Sequence, residues 1–317
     1  MTKVLMTRPL PEKVQSAAAA LFDLTVRPMT APLTVEEMRS ALSDYDGVVP
    51  TLGDMFSAEI FAAQDNWRCR ILANFGVGYN HIDVAAAKRA GFTVTNTPGA
   101  VTDATADVAM TLMLMSARRA GEGERLVRAG YWEGWHPTQL LGMHLGGRTV
   151  GIVGMGRIGQ AIARRCHFGF GMQIAYHSRS EKALTFPARR MDSLLALAAA
   201  VDILVVAVPG GDATHHLIDA EVLGTMQRHA HLINIARGNV VEEAALIDAL
   251  ATHKIAGAGL DVYEFEPDVP MALRTMENVV LLPHIGTAAL EVREDMGMMT
   301  VENLKSFFAG DTPPNTV

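Results

Sequence analysis

The chain has 317 residues, enough for two domains of ordinary size, each with its own core. It is 49% hydrophobic and 19% charged with a formal charge of −7, a balance that argues against an extended phosphate-binding surface and so against nucleic acid as a partner. Its two cysteines, Cys69 and Cys166, lie in no CxxC pair, so neither a disulfide framework nor a metal ligand set is read, and no apolar run reaches membrane-spanning length. The opening MTKVLMTRPLP breaks at Arg8 and Pro9, too soon for a signal sequence, which makes the cytoplasm the expected location, with no membrane partner.

Residues 1–100 alternate short apolar runs with helical stretches. Strands are predicted at 4–6, 24–26, 48–49, 70–74 and 93–95, with helices such as 14–21 and 35–42 between them, the pattern of a parallel sheet. Residues 101–128 keep apolar residues at helical spacing for several turns and are predicted to form one long helix. A second alternation follows. Its strands are predicted at 149–153, 173–176, 203–208, 231–235, 257–260 and 279–282, and its helices at 158–168, 192–199 and 241–251. Residues 288–308 are again helical with no strand of their own, so they should return to the first domain. The expected architecture is α/β, with two Rossmann-like, doubly wound domains and a cleft between them. Residues 1–100, completed by 287–317, would form the substrate domain, and residues 101–286 the dinucleotide-binding domain. The methionines at 110, 113, 115, 296, 298 and 299 are read as buried helix packing.

The most informative segment is TVGIVGMGRIGQAIARR, residues 149–165. Gly154 allows a tight turn out of the strand, Gly156 removes a side chain where a pyrophosphate approaches, and Gly159 lets the helix lie close to the strand. Three glycines at this spacing are a weak signal alone. The buried-strand run Val150, Ile152, Val153 before them and the apolar helix face Ile158, Ala161, Ile162 after them supply the context that a dinucleotide site needs.

Three polar positions fall where predicted strands of the second domain end, on the side where ligands bind in such sheets. Arg237, in LINIARGNVVEE, can hold a carboxylate or a polarised carbonyl; read by itself it is equally a surface arginine in a turn. GLDVYEFEP offers Asp261, Glu264 and Glu266, and LLPHIGTAA offers His284. A lone histidine after a strand is more often structural, but a hydride donor beside a carbonyl also needs a proton donor, and a carboxylate partner favours the imidazolium and fixes its ring. Glu266 is the candidate partner. His215 and His216 read as a polar loop facing solvent. In NFGVGYNHID, amides around Val77 and Gly78 could cradle a small anion, while His81 and Asp83 read as caps of the following helix.

Taken in order, NFGVGYNHID, TPGAVTDATADVA, GIVGMGRIGQAIARR, INIARGNVVEE, GLDVYEFEP and LLPHIGTAA resemble the D-isomer-specific 2-hydroxyacid dehydrogenases, most closely their glyoxylate/hydroxypyruvate reductase branch, over about residues 45–290. The resemblance implies that Arg237 orients the substrate, Glu266 partners the histidine and His284 is the acid/base. Val77 and Gly78 would bind the substrate carboxylate, with Leu52 in the substrate pocket. It further implies cofactor contacts at Thr105, Gly154, Gly156, Arg157, Ile158, Gly159, Ser178, Arg179, Ser180, Val208, Pro209, Thr214, Ile235, Ala236, Asp261 and Gly286, and a homodimer built through residues 101–145. The implied reaction is NAD(P)H-dependent reduction of glyoxylate or hydroxypyruvate to a D-2-hydroxy acid, with a proton from His284. A reductase of bulkier 2-oxo acids such as phenylpyruvate, or a nucleotide-sensing binding protein on the same fold, are the alternatives.

About 20 residues beyond the glycine loop, where an NAD enzyme carries Asp or Glu, this chain reads QIAYHSRS. Ser178, Arg179 and Ser180 can receive a 2′-phosphate, which predicts a preference for NADPH with NADH as a second coenzyme. The opposing reading is a solvated basic turn with dual use, and Glu181 stands nearby.

Overall fold

In the computed structural model, which describes residues 1–317, short β-branched runs of the first hundred residues form a five-stranded sheet. Its strands are β1 (Lys3–Met6), β2 (Asp23–Val26), β3 (Gly47–Val49), β4 (Ile71–Ala73) and β5 (Thr93–Thr95), in the order β2-β1-β3-β4-β5 and all parallel. Side chains alternate across the sheet, so Leu72 joins Leu42, Phe56, Phe92 and Val94 on one face while Ile71 and Ala73 join Val4, Met6, Val14 and Leu304 on the other. Helix Val35–Asp44 opens with a capping box, in which Thr34 Oγ1 accepts from the Glu37 amide and the Glu37 carboxylate accepts from the Thr34 amide. Asp83 caps helix Val84–Arg89 through the Ala86 amide. The carboxy-terminal helix Leu290–Phe308 packs on helix Glu12–Ala19, with Gly297 so close that a Cβ there would lie 2.4 Å from Val14. Met1–Val101 and Thr287–Val317 make one compact unit, and Thr102–Gly286 make another.

The second unit holds a seven-stranded sheet: β6 (Thr149–Val153), β7 (Gln173–His177), β8 (Arg189–Arg190), β9 (Ile203–Val206), β10 (His231–Asn234), β11 (Gly257–Leu260) and β12 (Val279–Leu281). The order is β12-β11-β10-β9-β6-β7-β8, every pairing parallel. From β6 the chain winds outward through β7 and β8, then starts again at β9 on the other side. That reversal creates a switch point at the carboxyl ends of β6 and β9. Apolar residues cover both faces, as a parallel sheet between helices requires. The doubly wound α/β expectation therefore holds in both sheets.

Two differences from the predicted elements have identifiable causes. The stretch 101–128 is not one helix but two, Thr102–Ala117 and Ala120–Arg128, separated by Arg119 at a φ of 53°. The Ala117 carbonyl is taken by the Met143 amide at 2.7 Å instead of by the next helical turn, and the sequence that follows carries Gly121 and Gly123. The edge strand β8, only two residues long, is below what periodicity can reveal. Met110, Met113 and Met296 are buried as predicted, whereas Met298 is exposed. Both cysteines are buried, and burial pushes their thiols up to about 12. No helix is long and apolar enough to cross a membrane.

Leu112, fully buried on helix Thr102–Ala117, sits over Gly259 of β11, where a Cβ would come within 2.9 Å of it. Leu112→Ala should cost about 2–5 kcal/mol, seen as a lower midpoint of chemical unfolding of the second unit.

Candidate active site

Strands β10, β11 and β12 are neighbours, so the loops leaving their carboxyl ends must lie side by side. The first carries Arg237. Asn234, at the end of β10, donates from its side chain to the Arg237 carbonyl and accepts from the Ala236 amide, both at 3.0 Å, and so turns the chain. Gly238 then presses against the second loop so closely that a Cβ would fall 1.8 Å from the Tyr263 carbonyl. Arg237 itself is half-buried, with Nη1 donating to the Ala236 carbonyl at 2.6 Å. Burial pulls its pKa down, and the nearby Glu266 charge restores part of that.

The second and third loops are fastened by Asp261, buried just past β11. Its carbonyl accepts from the His284 amide at 2.9 Å, and its two carboxylate oxygens accept from the amides of Ile285 and Gly286 at 2.7 and 2.8 Å. Burial pushes the Asp261 carboxyl above its ordinary value, although those amides and the His284 charge oppose the rise. Tyr263 adds a further tie, its hydroxyl donating to the Leu282 carbonyl at 2.8 Å. Between these contacts His284 adopts a φ of 53°, a left-handed conformation that is costly for a side chain of this kind.

In that position His284 Nδ1 lies 2.8 Å from Glu266 Oε2, while Glu266 Oε1 accepts from the Tyr263 amide at 3.0 Å. Burial works to raise the Glu266 carboxyl, but the hydrogen bond and charge of His284, the Tyr263 amide and Arg237 outweigh it and hold the group below the usual carboxylate range. With Nδ1 committed to the carboxylate, Nε2 is the ring nitrogen left to exchange a proton with a ligand. The structure thus sets Glu266 against His284, with Arg237 near enough for its charge to act on Glu266.

The glycine loop after β6 has the shape that a dinucleotide needs. Gly154, at a φ of 96°, turns beside the Ala207 carbonyl, 2.8 Å from where its Cβ would be, and Gly159 packs onto the Gly154 carbonyl, where a Cβ would come within 2.2 Å. At Gly156, by contrast, nothing lies within 4 Å, and helix Arg157–Phe170 starts there with no side chain capping its amides. Arg157 is exposed and Ile158 half-buried at that start. An open cradle with uncapped amides fits a pyrophosphate. Val208 and Pro209 follow β9, and Thr214 Oγ1 donates back to the Pro209 carbonyl at 2.8 Å. Ile235 and Ala236 are buried after β10, and Gly286 lies against Asp261 and Thr105. After β7, Ser178 Oγ donates to the Ser180 carbonyl at 2.6 Å and Arg179 is exposed. Two cations that sequence reading missed join this turn: Arg190 Nη2 donates to the Ser178 carbonyl, and Lys182 Nζ to Ser180 Oγ.

In the other unit, Leu52 follows β3 and is partly exposed, while Val77 and Gly78 follow β4 and are half-buried. Their peptide planes are set by residues the sequence did not single out. Asn74 donates to the carbonyls of Gly76 and Gly78, and Asn96 to that of Val77, at 2.9 to 3.1 Å. Arg8 Nη1 reaches the Leu52 carbonyl and Thr51 Oγ1, each at 2.5 Å. His81 meets Asn74 Oδ1 at 2.9 Å, so only Asp83 of the expected pair serves as a cap. The expectation that His215 and His216 face solvent holds for the first alone. His216 is half-buried, with Nε2 2.7 Å from Glu264 Oε1.

A sequence model of the family described as D-isomer specific 2-hydroxyacid dehydrogenase, NAD binding domain, matches residues 110–286. A glyoxylate reductase of Thermococcus kodakarensis is 44% identical over an alignment of 324 positions that covers 99% of this chain and 96% of the relative. The chain belongs to the D-isomer-specific 2-hydroxyacid dehydrogenase family. A glyoxylate reductase of Pyrococcus furiosus is 43% identical over 99% of this chain and 95% of its own length. Among solved structures, the NADPH-dependent glyoxylate/hydroxypyruvate reductase of Sinorhizobium meliloti, in complex with NADP and malonate, superimposes with a TM-score of 0.88 at 36% identity, covering 100% of this chain and 96% of that one. The D-mandelate dehydrogenase of Rhodotorula graminis superimposes with a TM-score of 0.86 at 28% identity, covering 100% and 97%.

Asp261→Asn would set an amide NH₂ against at least one of the backbone N–H groups that the carboxylate now satisfies. The substitution should cost about 1–3 kcal/mol, read as a lower thermal midpoint.

Proposed function

We infer that this dehydrogenase reduces small 2-oxo acids, glyoxylate and hydroxypyruvate, to D-2-hydroxy acids with NADPH as the preferred reductant. The observation that carries the reading is the His284–Glu266 pair at 2.8 Å, beside half-buried Arg237, in a sheet whose first strand opens into a dinucleotide cradle. The reduced nicotinamide, when bound, supplies a hydride to the carbonyl carbon. Everything else falls to the chain. The Val77 and Gly78 amides are assigned the substrate carboxylate, with Leu52 lining the pocket, and Arg237 is assigned the carbonyl end. His284 holds a proton on Nε2 while Nδ1 stays on Glu266, and gives it to the oxygen as negative charge grows there. Glu266, kept ionised, stabilises the imidazolium that this requires. Asp261, Thr105, Gly286, Ile235, Ala236, Val208, Pro209 and Thr214 are assigned to the coenzyme, together with the loop Gly154–Gly159.

Support for NADPH comes from the turn after β7, which carries no carboxylate at the strand end and holds exposed Arg179 between two serines, with Lys182 Nζ on the Ser180 hydroxyl and Arg190 Nη2 on the Ser178 carbonyl. Glu181 is exposed and opposes them only in part. A homodimer is supported by the segment beyond helix Ala120–Arg128, where Tyr131, Trp132, Trp135 and Leu141 are all exposed, an apolar series that a monomer would not present to water.

The purified protein should consume NADPH on addition of glyoxylate, followed by loss of reduced-nicotinamide absorbance, and a panel of larger 2-oxo acids should be used progressively less well. His284→Ala should lower turnover by roughly 10²- to 10⁴-fold with much less effect on NADPH affinity; near-wild-type turnover would remove His284 as the proton donor. Glu266→Gln removes the carboxylate that fixes the His284 ring through Nδ1. Turnover should fall by about tenfold or more with NADPH affinity near wild type, and unchanged turnover would remove Glu266 as the partner of the proton donor.

Arg179→Ala should shift the ratio of kcat/KM for NADPH over NADH toward NADH by about tenfold, the loss of one charge-assisted contact. An unchanged ratio would mean that the turn does not read the 2′-phosphate.

A further inference from the structure

Outside the catalytic loops, a second cluster of ligand-type side chains forms where two loops of the Thr102–Gly286 unit meet. His215 and His216 follow the short turn Asp212–Thr214, and Glu264 stands in the loop after β11. The chain reverses at His216, whose φ is 48°, and the two imidazoles stack with their centres 3.9 Å apart. His216 Nε2 is 2.7 Å from Glu264 Oε1, and one ligand atom from each of the three residues lies within 4.8 Å of the other two. Glu264 is fixed from behind, Oε2 accepting from the Glu243 amide at 3.2 Å while the Glu243 carboxylate accepts from the Glu264 amide.

We propose that His215, His216 and Glu264 form a binding site for a divalent transition-metal ion of the zinc class, which fastens the Asp212–His216 segment to the loop Tyr263–Glu266. Two imidazoles and one carboxylate are the donor set that such ions take, and an all-oxygen cation such as magnesium or calcium is poorly served by two ring nitrogens. Bonds of about 2.1 Å in a tetrahedral arrangement place ligand atoms about 3.4 Å apart, so donors now within 4.8 Å of one another must close, the 2.7 Å His216–Glu264 contact must open, and the stacked rings must turn apart to aim one nitrogen each at the ion. His215 is exposed, so solvent reaches the cluster from its side. The site does not depend on which 2-oxo acid the enzyme reduces, nor on its choice of coenzyme.

The test uses the full-length protein, stripped with a chelator and titrated with zinc chloride by calorimetry and with cobalt chloride by visible absorption. One ion should bind per chain, the cobalt form should show the visible bands of a site with nitrogen donors, and zinc should raise the thermal midpoint. His215→Ala, a change at an exposed side chain, should weaken zinc binding at least about tenfold and abolish the rise in midpoint. Glu264→Gln should weaken it similarly. A His229→Ala control should bind as wild type, because His229 pairs with Asp202 elsewhere. Failure to saturate at one ion per chain, or equal affinity in wild type and His215→Ala, overturns the proposal.

Discussion

Asp261 closes three consecutive peptide groups onto one buried residue, its carbonyl taking the His284 amide and its carboxylate those of Ile285 and Gly286. A loop held at three successive amides has almost no freedom left, and this explains how His284 can be kept at a φ of 53°. Backbone in that region persists only where its surroundings over-determine it. The Tyr263 hydroxyl on the Leu282 carbonyl binds the same two loops one step earlier, and the Tyr263 amide on Glu266 carries the constraint to the carboxylate that meets the imidazole. The ring is therefore aimed from both sides, by its own backbone and by the partner of its Nδ1.

Two carboxylates within this small region are driven in opposite directions. Asp261 is raised because burial outweighs the amides that it accepts from, and Glu266 is lowered because His284, the Tyr263 amide and Arg237 outweigh its burial. The difference follows from what each one touches. Asp261 accepts hydrogen bonds only from neutral backbone N–H groups, and the His284 and Glu266 charges that reach it act in opposite directions, whereas Glu266 is hydrogen-bonded to an ionisable ring and stands near a guanidinium. One carboxylate shapes the loop and the other supports charge on the imidazole, a separation of roles by environment rather than by residue type.

The strands, the glycine loop and the helix cap at Asp83 were legible because each is written in a few consecutive residues: an apolar run, a glycine spacing, an Asp three residues before the amide that it accepts from. The α/β class followed from the same local signals. What stayed hidden depends on residues far apart in the chain. The Ala117 carbonyl at the helix break is taken by the Met143 amide, the Val77 carbonyl is set by Asn96 from 19 residues on, and His216 finds Glu264 48 residues away. Arg190 joins the turn at Ser178 only because a two-residue strand carries it there. Arg237, Glu266 and His284 could be nominated because each follows an apolar run; their mutual distances could not. Periodicity shows which face of an element is buried, but not which polar side chain will cross to it.

The site's tolerance to change follows from the same geometry. In parallel strands one residue of slip displaces everything downstream by about 3.3 Å. If β12 moved by that amount against β11, the pairing of Leu260 with Leu281 would be lost and the 2.8 Å contact between His284 and Glu266 would not be kept at hydrogen-bond length. The register is protected by close backbone approaches that admit no side chain: Gly257 against the Asn278 carbonyl, Gly259 beneath Leu112, and Gly238 against Tyr263. These glycines lie outside the proton-transfer chemistry, yet the distance on which that chemistry rests is set by how closely their backbones pack. A substitution there would act on the reaction by moving His284 relative to Glu266, with every catalytic side chain still present.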